Sequence, residues 1–167
     1  MNTVTLTTPN DIARFWVKVD KSGDCWLWTA ATVRKYGMFA VLVDGKKRMR
    51  KAHRISFELA NGPIPTGGVI DHVCHHEACV NPDHLRVTTV KQNAENRAGA
   101  NKGTKSGVRG VHWHSPSGRW RVVIGHKSKQ VFGGSFSNIE AASIAARELR
   151  LRLFTHSAEA DNGHTNS

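Results

Sequence analysis

Acidic residues and cysteines are both scarce in this chain of 167 residues. Thirteen Asp and Glu stand against twenty-four Lys and Arg, for a formal net charge of +11. That excess excludes a cationic partner and points to a polyanion, nucleic acid before membrane. Long apolar runs are missing, and none approaches the roughly 20 residues that cross a bilayer. The opening MNTVTLTTPNDIARFW has neither the basic start nor the apolar stretch of a secretory leader. We therefore expect no membrane partner and a cytoplasmic location. Three cysteines cannot all pair within one chain, which rules out a disulfide framework. With histidines beside two of them, they read as metal ligands in a reducing compartment. No aromatic pair of the kind that stacks single-stranded bases on a sheet is present, which disfavours RNA.

What is present divides into two structured parts and a tail. Hydrophobic residues make up 39%, enough for globular packing, although a part under about 100 residues needs help from a metal or partner. Residues 98–107, AGANKGTKSG, are small and polar and read as a linker between residues 1–97 and residues 108–155. Residues 98–155 carry ten Lys/Arg against two Asp/Glu, a net +8, while residues 1–97 carry fourteen against nine. The tail, 156–167, has no apolar periodicity and is expected to be disordered.

Local patterns suggest the elements. YGMFAVLV and KKRMRKA flank Asp44-Gly45, a two-residue hairpin signal. HRISFELA reads as a helix that stops at Asn61-Gly62, with Pro63 just beyond. A short strand at Val69-Ile70, a loop, and a second strand at Leu85-Arg86-Val87 precede a helix capped by Thr88 or Thr89. Further on, VRGVHWH, RWRVVIG and QVFGGSF read as three strands joined by turns. Ser137-Asn138-Ile139-Glu140 is a capping box for a helix burying Ala142, Ala145, Leu149 and Leu153. The fold class is α+β.

The chemistry concentrates in residues 71–85, DHVCHHEACVNPDHL, with two cysteines, four histidines and two aspartates. Cys74, Cys79 and His84 are separated by four residues each time and suit a structural zinc, which takes four thiolate and imidazole ligands. Cys25 is favoured as the fourth, because it would close a long segment of chain; His53, His75 and His76 compete for the place.

Asp71-His72, followed by Cys-x4-Cys-x-Asn-Pro-x-His-Leu and Asn93, resembles the HNH nucleases. It is still more similar to the His-Cys box homing endonucleases, and both are built on a ββα-metal fold. The resemblance covers roughly residues 50–97, with Cys25 as an outlying match. It implies that His72 is the general base and that Asn93 binds one hard divalent cation, magnesium or manganese. In the HNH branch the residue before the base, here Asp71, also binds that cation. The resemblance departs at His84, which falls on the middle Asn of the HNH pattern, and no cysteines remain for the second zinc of the His-Cys box. Asn81 and Pro82 are expected to shape the turn that presents His84. A cation near the phosphate is expected, with Arg54 first, Arg50 second and Lys51 third. Asn96, three residues beyond Asn93, competes with it as metal ligand. His53, His75 and His76 have no expected catalytic role.

Residues 107–150, from GVRGVHWH to ARELR, resemble the AP2 DNA-binding domain, which implies a three-stranded sheet laid into the major groove. Arg109, Arg119 and Arg121 would lie near bases or phosphates, with Trp113 among them. Alternation puts Arg119 and Arg121 on one side of their strand and Trp120 on the other, towards the helix. Together these resemblances imply a zinc-stabilised DNA endonuclease of homing type. Its expected partner is double-stranded DNA, with a homodimer left open. The alternative is a non-catalytic, zinc-stabilised DNA-binding regulator. That reading leaves Asp71, His72 and Asn93 without a purpose.

Overall fold

The computed structural model describes residues 6, 8–97, 99–100 and 103–155. The expected disordered tail, 156–167, lies outside the described residues. The chain divides into two compact units, Met1–Asn93 and Ala94–Ser167, each mixed α and β. That division falls a few residues ahead of the expected linker. Part of the linker stretch is hydrogen-bonded within the second unit, where Ser106 Oγ donates to the Val111 carbonyl at 2.7 Å. Among the described residues, no helix is long and apolar enough to cross a membrane.

The first unit opens with a helix not anticipated from sequence, α1 (Pro9–Trp16). Thr8 caps it by accepting from the Asp11 backbone N–H at 3.1 Å, and Pro9 occupies a first-turn position where no amide hydrogen is needed. Its buried Phe15 packs on Trp28 and Phe39, with ring centroids 5.2 and 5.3 Å away. Two short strands, β1 (Val19–Asp20) and β2 (Leu27–Trp28), pair antiparallel. A three-stranded sheet follows, from β3 (Thr32–Val33), β4 (Tyr36–Val43) and β5 (Lys46–Lys51). Asp44 and Gly45 make the expected β4–β5 turn with positive φ of 50° and 71°, the backbone of a tight hairpin whose twist matches its strands. Gly37 is required where β4 crosses Trp28, since a Cβ there would come within 2.5 Å of the indole.

β5 runs straight into α2 (Ala52–Asn61), which stops at Gly62 with φ +81°. Then β6 (Val69–His72) and β7 (Leu85–Thr88) pair antiparallel, with Asp71 opposite Arg86 and His72 opposite Leu85. The short α3 (Val90–Glu95) follows at once. Thr89, not Thr88, starts it, in a reciprocal capping box with Gln92. The expected strand, loop, strand and helix are therefore all present. Phe57, Ile64, Ile70 and Leu85 form a small apolar cluster between α2 and the β6–β7 pair.

In the second unit, β8 (Val111–His114), β9 (Arg119–His126) and β10 (Lys129–Phe136) form an antiparallel sheet in the order β10-β9-β8. Helix α4 (Ile139–Leu153) packs on one face, burying Val111, Val122 and Ile124 against Ala142, Ala146 and Leu149. Its cap is Asn138, one residue later than the capping box suggested: the side-chain carbonyl accepts from Ala141 N–H at 2.8 Å. Ala146, like Ala142, is fully buried, while Ala145 and Leu153 sit at the edge of the same apolar cluster.

Candidate metal centre and active site

Cys25, Cys74, Cys79 and His84 come together, with one ligand atom from each lying within 4.8 Å of every other. The backbone prepares this meeting. Trp28 N–H donates to the Ala78 carbonyl at 3.0 Å and Val80 N–H to the Trp26 carbonyl at 2.8 Å, stitching β2 to the cysteine loop. Asn81 ties the same region down, since its side-chain N–H donates to the Asp24 carbonyl at 2.9 Å and its oxygen accepts from Asp83 N–H. The single turn of 3₁₀ helix that this starts, Pro82–His84, delivers the imidazole.

His84 Nδ1 lies 3.6 Å from both Cys25 Sγ and Cys79 Sγ. Zinc bonds of about 2.3 Å to sulfur and about 2.05 Å to nitrogen, at a tetrahedral angle, give an S–N edge of about 3.6 Å. The other ring nitrogen, Nε2, faces Asp24 at 3.3 Å, the arrangement in which a carboxylate orients a metal-binding histidine. The thiols want a cation as well. A hydrogen bond from Cys79 holds the Cys74 thiol down to about 4. Its neighbours are pushed up, Cys79 chiefly by that bond and Cys25 chiefly by burial. Three thiolates cannot ionise side by side without a cation, and the donor set is one that zinc satisfies. His75 and His76 are exposed on the loop and stand outside this group of four.

His72, at the end of β6, is buried, and its Nε2 bonds to the Cys79 carbonyl at 3.0 Å. A carbonyl only accepts, so Nε2 carries the proton, and in the neutral ring the basic lone pair is on Nδ1. Burial holds the ring below the ordinary histidine range, against the opposing pull of the Cys79 carbonyl and the charges of Cys74, Asp71 and Glu77. Neighbouring Asp71 is buried and pairs with Arg86 Nε at 3.1 Å.

Two further side chains enclose His72 that sequence reasoning left without a role. The His53 ring meets it edge-on at 4.7 Å, and Tyr36 touches both histidines, at 5.4 Å from His53 and 6.2 Å from His72. His53 is 3% exposed and held down to about 3, first by burial and then by the charges of His72, Lys51 and Arg54, so it is neutral. His53 stands four residues before Phe57 on the buried side of α2, a spacing that marks it as inward-facing but gives it no chemical role.

The expected phosphate-binding cations fall in different settings. Arg50 is held bidentately by Glu58 at 2.9 and 3.0 Å, and Glu58 is itself buried, so Arg50 is committed to the fold. Arg54, half-buried on α2, makes one long contact of 3.4 Å to the Gly68 carbonyl. Lys51 is exposed, with its Nζ 4.2 Å from the centre of the Tyr36 ring. Asn93 is exposed on α3, whereas its competitor Asn96 is 2% exposed.

In the second unit, the strand register sorts the four residues expected at DNA. Arg119 and Arg121 share the sheet face turned away from α4, with His114 and His112 as their cross-strand partners. Trp113 pairs with Trp120 on the opposite face, ring centroids 5.0 Å apart. Trp113 therefore does not stand among the arginines; it lies on the helix side, at the open end of that face. Arg109 also departs from expectation. Its guanidinium donates to the carbonyls of Ala94, Glu95 and Arg97 at 2.8–3.0 Å, which satisfies backbone acceptors within the unit.

A paired β-hairpin carrying Asp-His at one strand end, with a helix directly after it, defines a class. Residues 50–95 match the family model described as HNH endonuclease. The chain belongs to the family of protein 3.8 of Escherichia phage T7, with 34% identity over 106 residues, 64% of this chain and 84% of that protein. It is also 39% identical to protein 7.7 of the same phage over 72 residues, 43% of this chain and 53% of that protein. Protein 2.8 of that phage is 34% identical over 92 residues, 53% of this chain and 61% of that protein. The chain thus spans about half the length of protein 7.7. No solved structure matches the chain.

Proposed function

We propose that the protein is a divalent-metal-dependent DNA endonuclease in which His72 activates the attacking water. The observation that carries this reading is the His72–Cys79 hydrogen bond inside an HNH domain. It fixes the ring and assigns the proton to Nε2, so the basic lone pair that would take a proton from water is the one on Nδ1. Burial keeps that nitrogen unprotonated at neutral pH. Asp71 and Asn93 offer the hard oxygen donors that magnesium or manganese prefers. When bound, that cation would polarise the scissile phosphate and stabilise the leaving 3′ oxygen. Arg54 is the proposed partner of the phosphate's remaining charge.

In this reading, zinc on Cys25, Cys74, Cys79 and His84 does no chemistry. It immobilises the loop whose Cys79 carbonyl holds His72. The second unit binds double-stranded DNA through the face bearing Arg119 and Arg121, in the manner of an AP2-type sheet. A homing role, with one unit selecting the site and the other cutting it, fits this division of labour. The test is relaxation of supercoiled plasmid in magnesium or manganese. Wild type should cut, and His72→Ala should lose cutting while keeping its zinc and its DNA affinity. Equal cutting by both would remove His72 from its role.

A further inference from the structure

Strand β5, KKRMRK, is the most basic stretch of the first unit, and the fold gives its cations unequal positions. Arg50 is taken by Glu58. Lys47 and Lys51 pair with Leu42 and Met38, on the sheet face opposite buried Phe39 and Val41. Of these two, Lys51 alone has its ammonium set over an aromatic ring, that of Tyr36 at 4.2 Å. The same ring touches His53 and His72. A continuous row therefore runs from an exposed cation through Tyr36 to the buried His72. Lys51 is also the residue that begins α2, whose first turn contains no acid and receives no side-chain cap. Both features favour an anion at this spot over a cation.

We propose that Lys51, seated on Tyr36, contacts a DNA phosphate at the cleavage site, making the β4–β5 hairpin part of the active site. This rests on the nuclease reading for the identity of the chemistry, but not for the contact. Attack on a phosphodiester adds negative charge to the non-bridging oxygens. A cation held in place before the reaction stabilises that charge more than it stabilises the bound substrate. The Tyr36 ring restricts an otherwise flexible lysine to the side of the site where His72 lies.

Two measurements on the full-length protein test the proposal. The first is affinity for a duplex oligonucleotide against salt concentration, without added magnesium or manganese. Lys51→Met should reduce the slope of log K against log salt by about 0.9, one phosphate contact, and Lys51→Arg should keep it. The second is single-turnover cleavage at saturating enzyme. Lys51→Met should lose about 10- to 100-fold in rate, while Lys47→Met keeps the wild-type rate. Zinc content and thermal melting, unchanged in each variant, exclude misfolding. An unchanged slope overturns the contact, even for a protein that cuts nothing. A reduced slope with an unchanged rate places the phosphate away from the cleavage site and overturns the catalytic part. Failure of wild type to cut under any divalent metal sinks the nuclease reading itself, and the slope still decides Lys51.

Discussion

Replacing Cys25 with serine tests whether the N-terminal segment and the loop share a zinc ion. Cys25 and Cys74 lie about fifty residues apart, and closing a loop of that length costs about 3.5 kcal/mol in chain entropy. The metal alone does not close it, because the β2 backbone bonds to Ala78 and Val80 and the Asn81–Asp24 bond remain after the substitution. Loss of fold stability should therefore be well below that figure. Metal affinity is the sharper readout. Four ligands sharing about 12 kcal/mol of zinc binding contribute about 3 kcal/mol each, so one lost ligand should weaken binding about 100-fold or more. Competition against a chromogenic chelator measures this directly. Cys74→Ser and Cys79→Ser should show comparable losses, while His75→Ala and His76→Ala should bind as wild type does. Zinc held as tightly by Cys25→Ser as by wild type would refute the four-ligand geometry.

His53 titrates at about 3 when folded and near 6.5 when unfolded, so the unfolded chain binds more protons between those values. Its stabilisation is complete above pH 6.5 and declines as pH falls towards 3; His53→Gln should flatten the stability–pH curve there by up to about 1.4 kcal/mol per pH unit, read by denaturant titration. Replacing Arg119 and Arg121 together with alanine should reduce the salt slope of DNA binding by about 1.8 without altering the melting temperature, and an unchanged slope would remove that face from the interface. Gly37→Ala should destabilise the first unit by about 1–3 kcal/mol, because its Cβ has no room beside Trp28, and an unchanged denaturation midpoint would contradict that close approach.

Local signals explain what the sequence made legible. Asp44-Gly45 fixes a hairpin by backbone conformation, and the run from Val69 to Asn93 reads as strand, loop, strand and helix from turn residues and short apolar patches. Cys25 could be singled out because the chain has so few cysteines to choose among. The misses are of another kind. Helix α1 is only eight residues long, so its signals, Thr8-Pro9 at the cap and Ile12, Phe15 and Trp16 at helical spacing, span barely two turns. The face on which Trp113 lies depends on pairing between β8 and β9, which alternation within β8 alone cannot supply. Arg109 looks like a DNA-binding arginine until the carbonyls of Ala94, Glu95 and Arg97 are seen around it. Tyr36 and His53 come from separate elements, β4 and α2, and belong to no spacing pattern. Only the fold brings them to His72.

The central claim is that His72 is the base of a DNA-cutting site, and end-mapped cleavage of a genomic DNA library in magnesium tests it most directly. Wild type should produce breaks with 3′-hydroxyl and 5′-phosphate ends at a recurring sequence. His72→Ala, with equal zinc content, should produce none above background. Absence of breaks with wild type under magnesium or manganese, or equal breakage by His72→Ala, would contradict it; the first result would favour a zinc-stabilised DNA-binding protein that does not cut.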